Sequence, residues 1–123
     1  MTQRDFAGRT VAITGGAGSI GMALARAFGG AGAKIAVLDL PSSPLGEAKA
    51  ELEAAGIEAV ALPCDITDRA QVVHAMDAVR TAFDGIDVLI NNAGIVHRSA
   101  FAETAPDVFR RVMEVNLFGA LHC

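Results

Sequence analysis

Tyrosine and tryptophan are absent from this 123-residue sequence, and lysine occurs only at Lys34 and Lys49. Any chemistry that depends on a tyrosine hydroxyl is therefore excluded within this chain. Cysteine is also scarce, because Cys64 and Cys123 are the only two and share no motif spacing. Two such cysteines predict buried or free thiols rather than a disulfide framework or a metal site.

The chain also lacks a basic run and a long apolar run. With 10 basic and 14 acidic residues its net charge is -4, which argues against a nucleic-acid partner. No apolar stretch approaches the roughly 20 residues that span a bilayer. Residues 1–5 are polar, unlike the start of a signal peptide. These absences predict a soluble, cytoplasmic protein without a membrane partner.

What the chain does contain is a regular alternation of strand and helix patterns. Hydrophobic residues make up 52% of the sequence, enough for a buried core in one domain that covers residues 1–123. Apolar runs predict four strands, at residues 10–14, 34–38, 57–62 and 86–90. Helical spacing predicts helices over residues 19–29, 44–55 and 68–84, and a last helix that begins after Thr104.

Polar residues are expected to cap three of these helices. Ser43 precedes the second helix, with Pro44 in its first turn, and Thr67 precedes the third. Thr104 with Asp107 resembles a capping box before the fourth.

The alternation βαβαβαβα predicts an α/β fold. Right-handed crossovers give an open parallel sheet, and a doubly wound, Rossmann-like fold would have the strand order 3-2-1-4. Ligands bind such sheets at the carboxyl ends of the strands, where the order reverses between strands one and four. The glycine loop and the loop at Asn91 both fall at that place.

The glycine loop follows the first strand and opens the first helix. Residues 16–21 match G-x-G-x-x-G in the βαβ context that the motif requires. Missing Cβ atoms allow a tight turn beside a pyrophosphate, and the helix N-terminus favours its charge. The alternative is a glycine-rich turn without a ligand. The residues expected to surround the cofactor here are Gly15, Gly16, Gly18, Ser19, Ile20 and Gly21.

Asp39 ends the second strand, 18 residues after Gly21. A carboxylate at that place can accept hydrogen bonds from both hydroxyls of the adenosine ribose, and it would repel a 2′-phosphate. The position therefore predicts NAD as the cofactor, with NADP disfavoured. A solvated acid at a strand end is the alternative.

Two further loops extend this predicted site. Asp65, just past the third strand, could bond the adenine amino group, or could instead cap the backbone amides of Thr67 and Asp68. Asn91 and Asn92 end the fourth strand, and their amides are expected to bond backbone and cofactor together, while Ala93 and Gly94 let the nicotinamide side approach closely. A pure turn is the alternative for this segment.

The last helix carries one polar residue of interest. Asn116 lies among apolar neighbours, so we expect a buried amide that needs partners. It could hold a water, bend the helix or be satisfied by backbone alone. Arg110 and Arg111 are expected on the solvated side of this helix. The histidines show no metal-ligand spacing and are expected to be surface or structural residues; they are His74, His97 and His122.

Together these residues resemble the short-chain dehydrogenase/reductase family in its classical form. The similarity extends from Thr10 to about Gly119. Four segments and one acid carry it: residues 14–21 (T-G-x-x-x-G-x-G), Asp39, residues 64–68, residues 91–94 (Asn-Asn-Ala-Gly) and residues 115–119. One departure is Ser19, which stands where the family loop has its middle glycine; its hydroxyl is expected to cap the helix.

The resemblance implies an NAD(P)-binding portion of an oxidoreductase that moves hydride between nicotinamide and an alcohol or carbonyl substrate. It adds Leu40 and Ile66 to the cofactor contacts and assigns Asn116 a catalytic role. The family's catalytic Ser and Tyr-x-x-x-Lys would lie further along, so the chain is expected to be the N-terminal half only and inactive alone. Family members are commonly oligomers that use this last helix, so a homo-oligomer is possible in principle.

Two alternatives remain open from the sequence. The chain could be a stand-alone dinucleotide-binding module without catalysis. It could also be an unstable truncated product, since strand four would form an open sheet edge.

Overall fold

Four strands and their connecting helices follow one another in the predicted order. The computed structural model describes residues 5–123. The elements up to the fourth strand are β1 (Thr10–Thr14), α1 (Ser19–Gly30), β2 (Lys34–Asp39), α2 (Leu45–Ala54), β3 (Ala59–Pro63), α3 (Arg69–Phe83) and β4 (Val88–Ile90). After a 3-10 turn at Phe101–Glu103 come α4 (Pro106–Met113), a π-helical turn (Glu114–Gly119) and α5 (Ala120–His122). No helix within residues 5–123 is both long and apolar enough to cross a bilayer.

The strands form one parallel sheet in the order β3-β2-β1-β4, which confirms the predicted Rossmann-like order. Ala12 in β1 lies opposite Ala36 in β2 and Leu89 in β4. Because β1 lies inside the sheet, all five of its residues are buried. The three residues of β4 are only half-buried, as expected for an edge strand.

Alternate residues of the central strands enter two separate apolar cores. Val11 and Ile35 pack on one face of the sheet, with helices α1 and α2. Ala12 and Leu38 pack on the other face, with α3 and with Val115 beyond α4. Strands covered on both faces need apolar residues at every position, which explains their unbroken apolar runs.

Two predicted strands begin later than expected. The third was placed from residue 57, but Ile57 donates its N–H to Leu52, the bond that ends helix α2. The fourth was placed from residue 86, but Asp87 accepts the N–H of Thr10 on its carboxylate at 2.8 Å. Ile57 thus still belongs to the turn after α2, and Asp87 bonds Thr10 through its carboxylate and its backbone N–H just before the ladder of β4 begins.

The predicted cap of α3 was wrong by one residue. Asp68 is the N-cap, and its carboxylate accepts the N–H groups of Ala70 at 3.0 Å and Gln71 at 3.4 Å. Thr67 lies in the turn before the helix, where its N–H and its hydroxyl both donate to the Asp65 carboxylate and the Asp68 N–H bonds the Asp65 carbonyl. The end of α3 agrees with the prediction, since Asp84 adopts φ 62° and Gly85 follows at φ 136°.

The other predicted caps were also wrong. Helix α2 has Pro44 as N-cap without a side-chain bond, and the Ser43 hydroxyl donates to Asp39 instead. Helix α4 begins after Ala105, and the Thr104 hydroxyl donates to the carbonyl of Ala100 at 2.8 Å. These hydroxyls are occupied within turns that the local sequence does not reveal.

Candidate functional site

The carboxyl ends of the strands surround one crevice of about 430 Å3. Every residue that the sequence predicts to contact a cofactor lines it, except Gly16 and Asn91. The lining residues are Gly15, Gly18, Ser19, Ile20, Gly21, Asp39, Leu40, Cys64, Asp65, Ile66, Asn92, Ala93, Gly94, Ile95, Arg111 and Val115. The order reversal between β1 and β4 therefore brings the two predicted loops together, as the fold requires.

The glycine loop is shaped by close contacts between backbones. Gly15 has φ +62°, and a Cβ there would lie 2.9 Å from the Cα of Ala93 in the loop after β4. A Cβ on Gly16 would lie 2.8 Å from the carbonyl oxygen of Ile13, so Gly16 faces the sheet. That inward position explains why Gly16 does not line the crevice.

The first turn of α1 begins at the crevice without a side-chain cap. Gly18 is the N-cap, so the expected capping by the Ser19 hydroxyl was wrong. No acidic residue occupies this turn, and the first N–H groups of a helix have no intrahelical acceptor. A Cβ on Gly21 would lie 2.6 Å from the Cα of Gly16, so only glycine permits this packing of helix against loop. The result is an uncapped helix N-terminus, which favours an anion.

Asp39 is held in a fixed orientation rather than solvated freely. Its Oδ2 accepts the N–H of Ala17 in the glycine loop at 3.0 Å. Its Oδ1 accepts the N–H of Leu40 and the hydroxyl of Ser43, both at 2.8 Å. A carboxylate offers about four acceptor positions, so three donors leave room for another.

Asp65 stabilises its own loop at the end of β3. Its Oδ1 accepts the N–H of Thr67 at 3.0 Å and the Thr67 hydroxyl at 2.7 Å. These two bonds, with the charge of Arg111 as a smaller contribution, lower the pKa of the Asp65 carboxyl. The Asp68 amide instead bonds the backbone carbonyl of Asp65. The Asp65 carboxylate therefore caps the backbone amide of Thr67, as one of the two predictions had it, but not that of Asp68. Asp65 also lines the crevice as an anion.

Asn92 ties the end of β4 to the end of β1. Its Nδ2 donates to the carbonyls of Thr14 at 3.1 Å and Gly15 at 3.2 Å. The backbone N–H groups of Asn92 and Ala93 both donate to the Thr14 hydroxyl at 3.1 Å. The expected backbone bonds of this amide are present, and they fix the spacing of the two loops across the crevice.

Asn116 differs from its prediction in burial. It is exposed rather than buried, within the π-helical turn. Its Oδ1 accepts the N–H of Ile95, and its Nδ2 donates to the carbonyl of Ile95, both at 2.8 Å. The amide is thus satisfied by backbone, one of the readings that the sequence left open. It connects the last helix to the loop after Gly94.

Arg111 is the residue that the sequence interpretation missed. Arg110 is exposed and pairs with Asp107 at 3.6 Å, in agreement with its predicted solvated position. Arg111 is also exposed, but it lines the crevice together with Val115, one helical turn further on. The spacing of four between these residues was the available signal.

The histidine and cysteine side chains in the described part of the chain make separate local contacts. Within residues 5–123 no group of three or more His, Cys, Asp or Glu side chains could hold a metal ion. His97 bonds Ser99 at 3.1 Å, and His122 Nδ1 donates to the carbonyl of Ile66 at 2.6 Å. Cys64 and Cys123 are free, and burial raises the pKa of the Cys64 thiol to about 11.

Comparison with known proteins gives one consistent family. The short chain dehydrogenase family matches residues 9–123. A short chain dehydrogenase/reductase, dpmpG of Macrophomina phaseolina, is 41% identical over 117 residues, covering 94% of this chain and 67% of its own.

Solved structures agree with this match. A short chain dehydrogenase from Mycobacterium smegmatis has a TM-score of 0.94 at 27% identity, covering 98% of this chain and 51% of its own. An NAD+-bound xylitol dehydrogenase has a TM-score of 0.88 at 36% identity, covering 96% and 46%. The chain thus spans about half the length of these structures.

Proposed function

The chain belongs to the short-chain dehydrogenase family, and we propose that its crevice binds NAD in preference to NADP. The observation that carries this proposal is the carboxylate of Asp39. It is fixed by Ala17 and Ser43 at the end of β2, beside an uncapped helix N-terminus. That is the arrangement needed for a ribose diol next to a pyrophosphate.

The residues of the crevice fit a dinucleotide by shape and by charge. A Cβ at Gly15 or Gly21 would strike backbone, so the loop is closed tightly and leaves the α1 N-terminus open to phosphate oxygens. Asp65 and Ile66 border the opposite end, where an adenine ring would lie. Asn92 holds the two loops at the spacing that the ligand would span.

The preference for NAD follows from the charge of Asp39. A hydrogen bond to a charged group contributes about 1.5–3 kcal/mol, and a ribose hydroxyl of NAD would fill the acceptor position that Asp39 has left. NADP carries a phosphate in place of one ribose hydroxyl, and that phosphate would meet the carboxylate directly. Among the described residues that line the crevice, the one basic side chain is Arg111, which lies on α4, whereas Asp39 ends β2.

For a whole protein of this family, the proposed activity is hydride transfer between nicotinamide and an alcohol or carbonyl substrate. The nicotinamide would supply or accept the hydride. In this chain Ala93 and Gly94 would leave space for it, and Asn116 would position the adjoining loop through Ile95. Because no tyrosine is present, we expect no proton donor of the family's tyrosine type and no turnover by the 123 residues alone.

Free thiols at Cys64 and Cys123 support a cytoplasmic location.

Isothermal titration of the chain with NAD tests the binding proposal. We expect saturable binding of one NAD, weaker binding of NADP, and weaker NAD binding by D39A. Undetectable NAD binding by a folded chain, or equal NAD affinity of D39A, would overturn it. Alcohol-dependent NADH formation by the purified chain would overturn the expectation of inactivity.

A further inference from the structure

The charged side chains of the crevice are unevenly distributed. Asp39 and Asp65 place two carboxylates in its lining, and Arg111 is the one basic side chain there among the described residues. A dinucleotide adds the negative charges of its pyrophosphate. The guanidinium of Arg111 is therefore the side chain best suited to offset charge in this site.

Helix α4 places Arg111 beside the segment at the end of β3. Val115, one turn beyond Arg111, is buried, while Arg111 itself is exposed, so the two form the base and the rim of one wall. One further turn on, Gly119 packs so closely that a Cβ would lie 2.7 Å from the Cγ1 of Ile66. His122 bonds the Ile66 carbonyl. This wall is thereby fixed against the loop of Asp65 and Ile66.

The guanidinium is near Asp65 without being paired to it. The charge of Arg111 contributes to the lowered pKa of the Asp65 carboxyl. The ion pairs of residues 5–123 within 4.0 Å nevertheless do not include these two side chains, whereas Arg110 is paired with Asp107. Arg111 can therefore offer its planar face to a ligand. Such a face stacks on aromatic rings in a way that an ammonium cannot.

We propose that Arg111 is a further cofactor-binding residue, which covers the adenine ring from the rim of the crevice. This role rests on the proposed dinucleotide site. Val115 and Ile66 would contact the ring from the apolar side, and Arg111 would close the side that faces solvent. The residue thereby contributes to affinity through the adenylate half of the cofactor.

Titrations with NAD and AMP test this role, with Arg110 as the matched control on the same helix. We expect R111A to weaken NAD and AMP binding by a similar factor, about 2- to 30-fold from the usual range for cation–π contacts. R110A should bind both as the unchanged chain does. R111K should restore only part of the lost affinity, because lysine keeps the charge and lacks the planar face.

Three outcomes would overturn the inference. They are equal affinities for R111A and R110A, a loss with R111A that affects NAD but spares AMP, and full restoration by R111K. Each of these leaves NAD binding by the unchanged chain intact. Failure of the unchanged chain to bind NAD would instead reject the proposed function on which the inference rests.

Discussion

The carboxylate of Asp39, at the end of β2, accepts the backbone N–H of Ala17 in the glycine loop at 3.0 Å. The two residues lie on neighbouring segments of the sheet edge, so this bond sets the orientation of the carboxylate towards the crevice. A group fixed in this way needs little reorganisation when a ligand arrives. The same bond connects the proposed ribose contact with the proposed pyrophosphate contact.

The charge of Asp39 is predicted to determine cofactor preference. D39N keeps an acceptor for Ala17 and removes the charge that would repel a 2′-phosphate. We expect NAD binding to weaken and the ratio of NADP to NAD affinity to rise about tenfold or more, since one charged hydrogen bond is weakened and a repulsion is relieved. Titration with each cofactor measures the ratio. D77N, which changes an exposed acid of α3, is the control and should leave it unchanged.

The sheet and its order could be predicted because the central strands are apolar between their terminal residues. Residues such as Val11 and Ala12 face opposite cores, so neither position tolerates a polar side chain. This pattern, combined with the glycine loop, limits the possible topologies to few. The place of the crevice follows from the strand order alone.

The helix caps could not be predicted, because neighbouring polar residues compete for the same role. Thr67 and Asp68 are both good N-caps, and the choice depends on where the turn after Asp65 ends: the Asp68 N–H bonds the Asp65 carbonyl, and α3 begins at Arg69. Ser43 bonds Asp39 rather than the start of α2. Local patterns indicate that a cap is near and do not say which polar residue directly precedes the helix.

The surroundings of the last helix could not be predicted, because they are set by contacts between residues that are distant in the sequence. Arg111 faces the crevice because Gly119 and His122 anchor this part of the chain on Ile66. Asn116 is exposed because its amide meets Ile95 at the surface. Amphipathic spacing identifies a helix, but the neighbour that each face meets is set by tertiary packing.

Gly21 is predicted to be essential for the loop, in contrast to Gly46. In G21A the added Cβ would meet the backbone of Gly15 and Gly16, which cannot move aside as a flexible side chain could. We expect a loss of about 1–3 kcal/mol in the free energy of unfolding. Weaker NAD binding should accompany it. Gly46 in α2 has open space around it, so G46A should be neutral or stabilising by up to about 1 kcal/mol.

Urea denaturation of both glycine variants checks this contrast. Equal stabilities of G21A and G46A would show that the loop can relax and that the close packing seen at Gly21 is not required.

Asn116 is predicted to order the loop after β4. N116A removes both bonds to Ile95, and at about 0.5–1.5 kcal/mol per hydrogen bond the loss in stability should be near 1 kcal/mol for an exposed pair. Amide exchange of Ile95 should accelerate, which NMR can follow. N116D, which keeps an acceptor for the Ile95 N–H, should give an intermediate effect. Unchanged exchange in N116A would show that the amide has no positioning role.

The buried thiol of Cys64 is predicted to lower the free energy of unfolding in alkaline solution. Its thiol has a pKa raised by burial to about 11, with Cys123, Asp65 and Asp68 adding to the effect, against 9.0 for an exposed thiol. The folded chain then holds this proton at pH values where the unfolded chain releases it. The free energy of unfolding should therefore fall as pH rises from about 9 to 11.

Urea denaturation across that pH range tests the role of Cys64. C64A lacks the thiol, so its stability should fall less steeply over the same range. Parallel pH profiles for C64A and the unchanged chain would mean that other groups cause the alkaline loss.

A map of backbone amide shifts, recorded while NAD is added to the 15N-labelled chain, tests whether the crevice binds the dinucleotide. We expect saturable changes at the ends of all four strands, concentrated at Gly15, Gly18, Asp39, Asp65 and Asn92, with Ile57 at the opposite edge unaffected. No change on addition of NAD, or changes confined to residues outside the crevice, would contradict it.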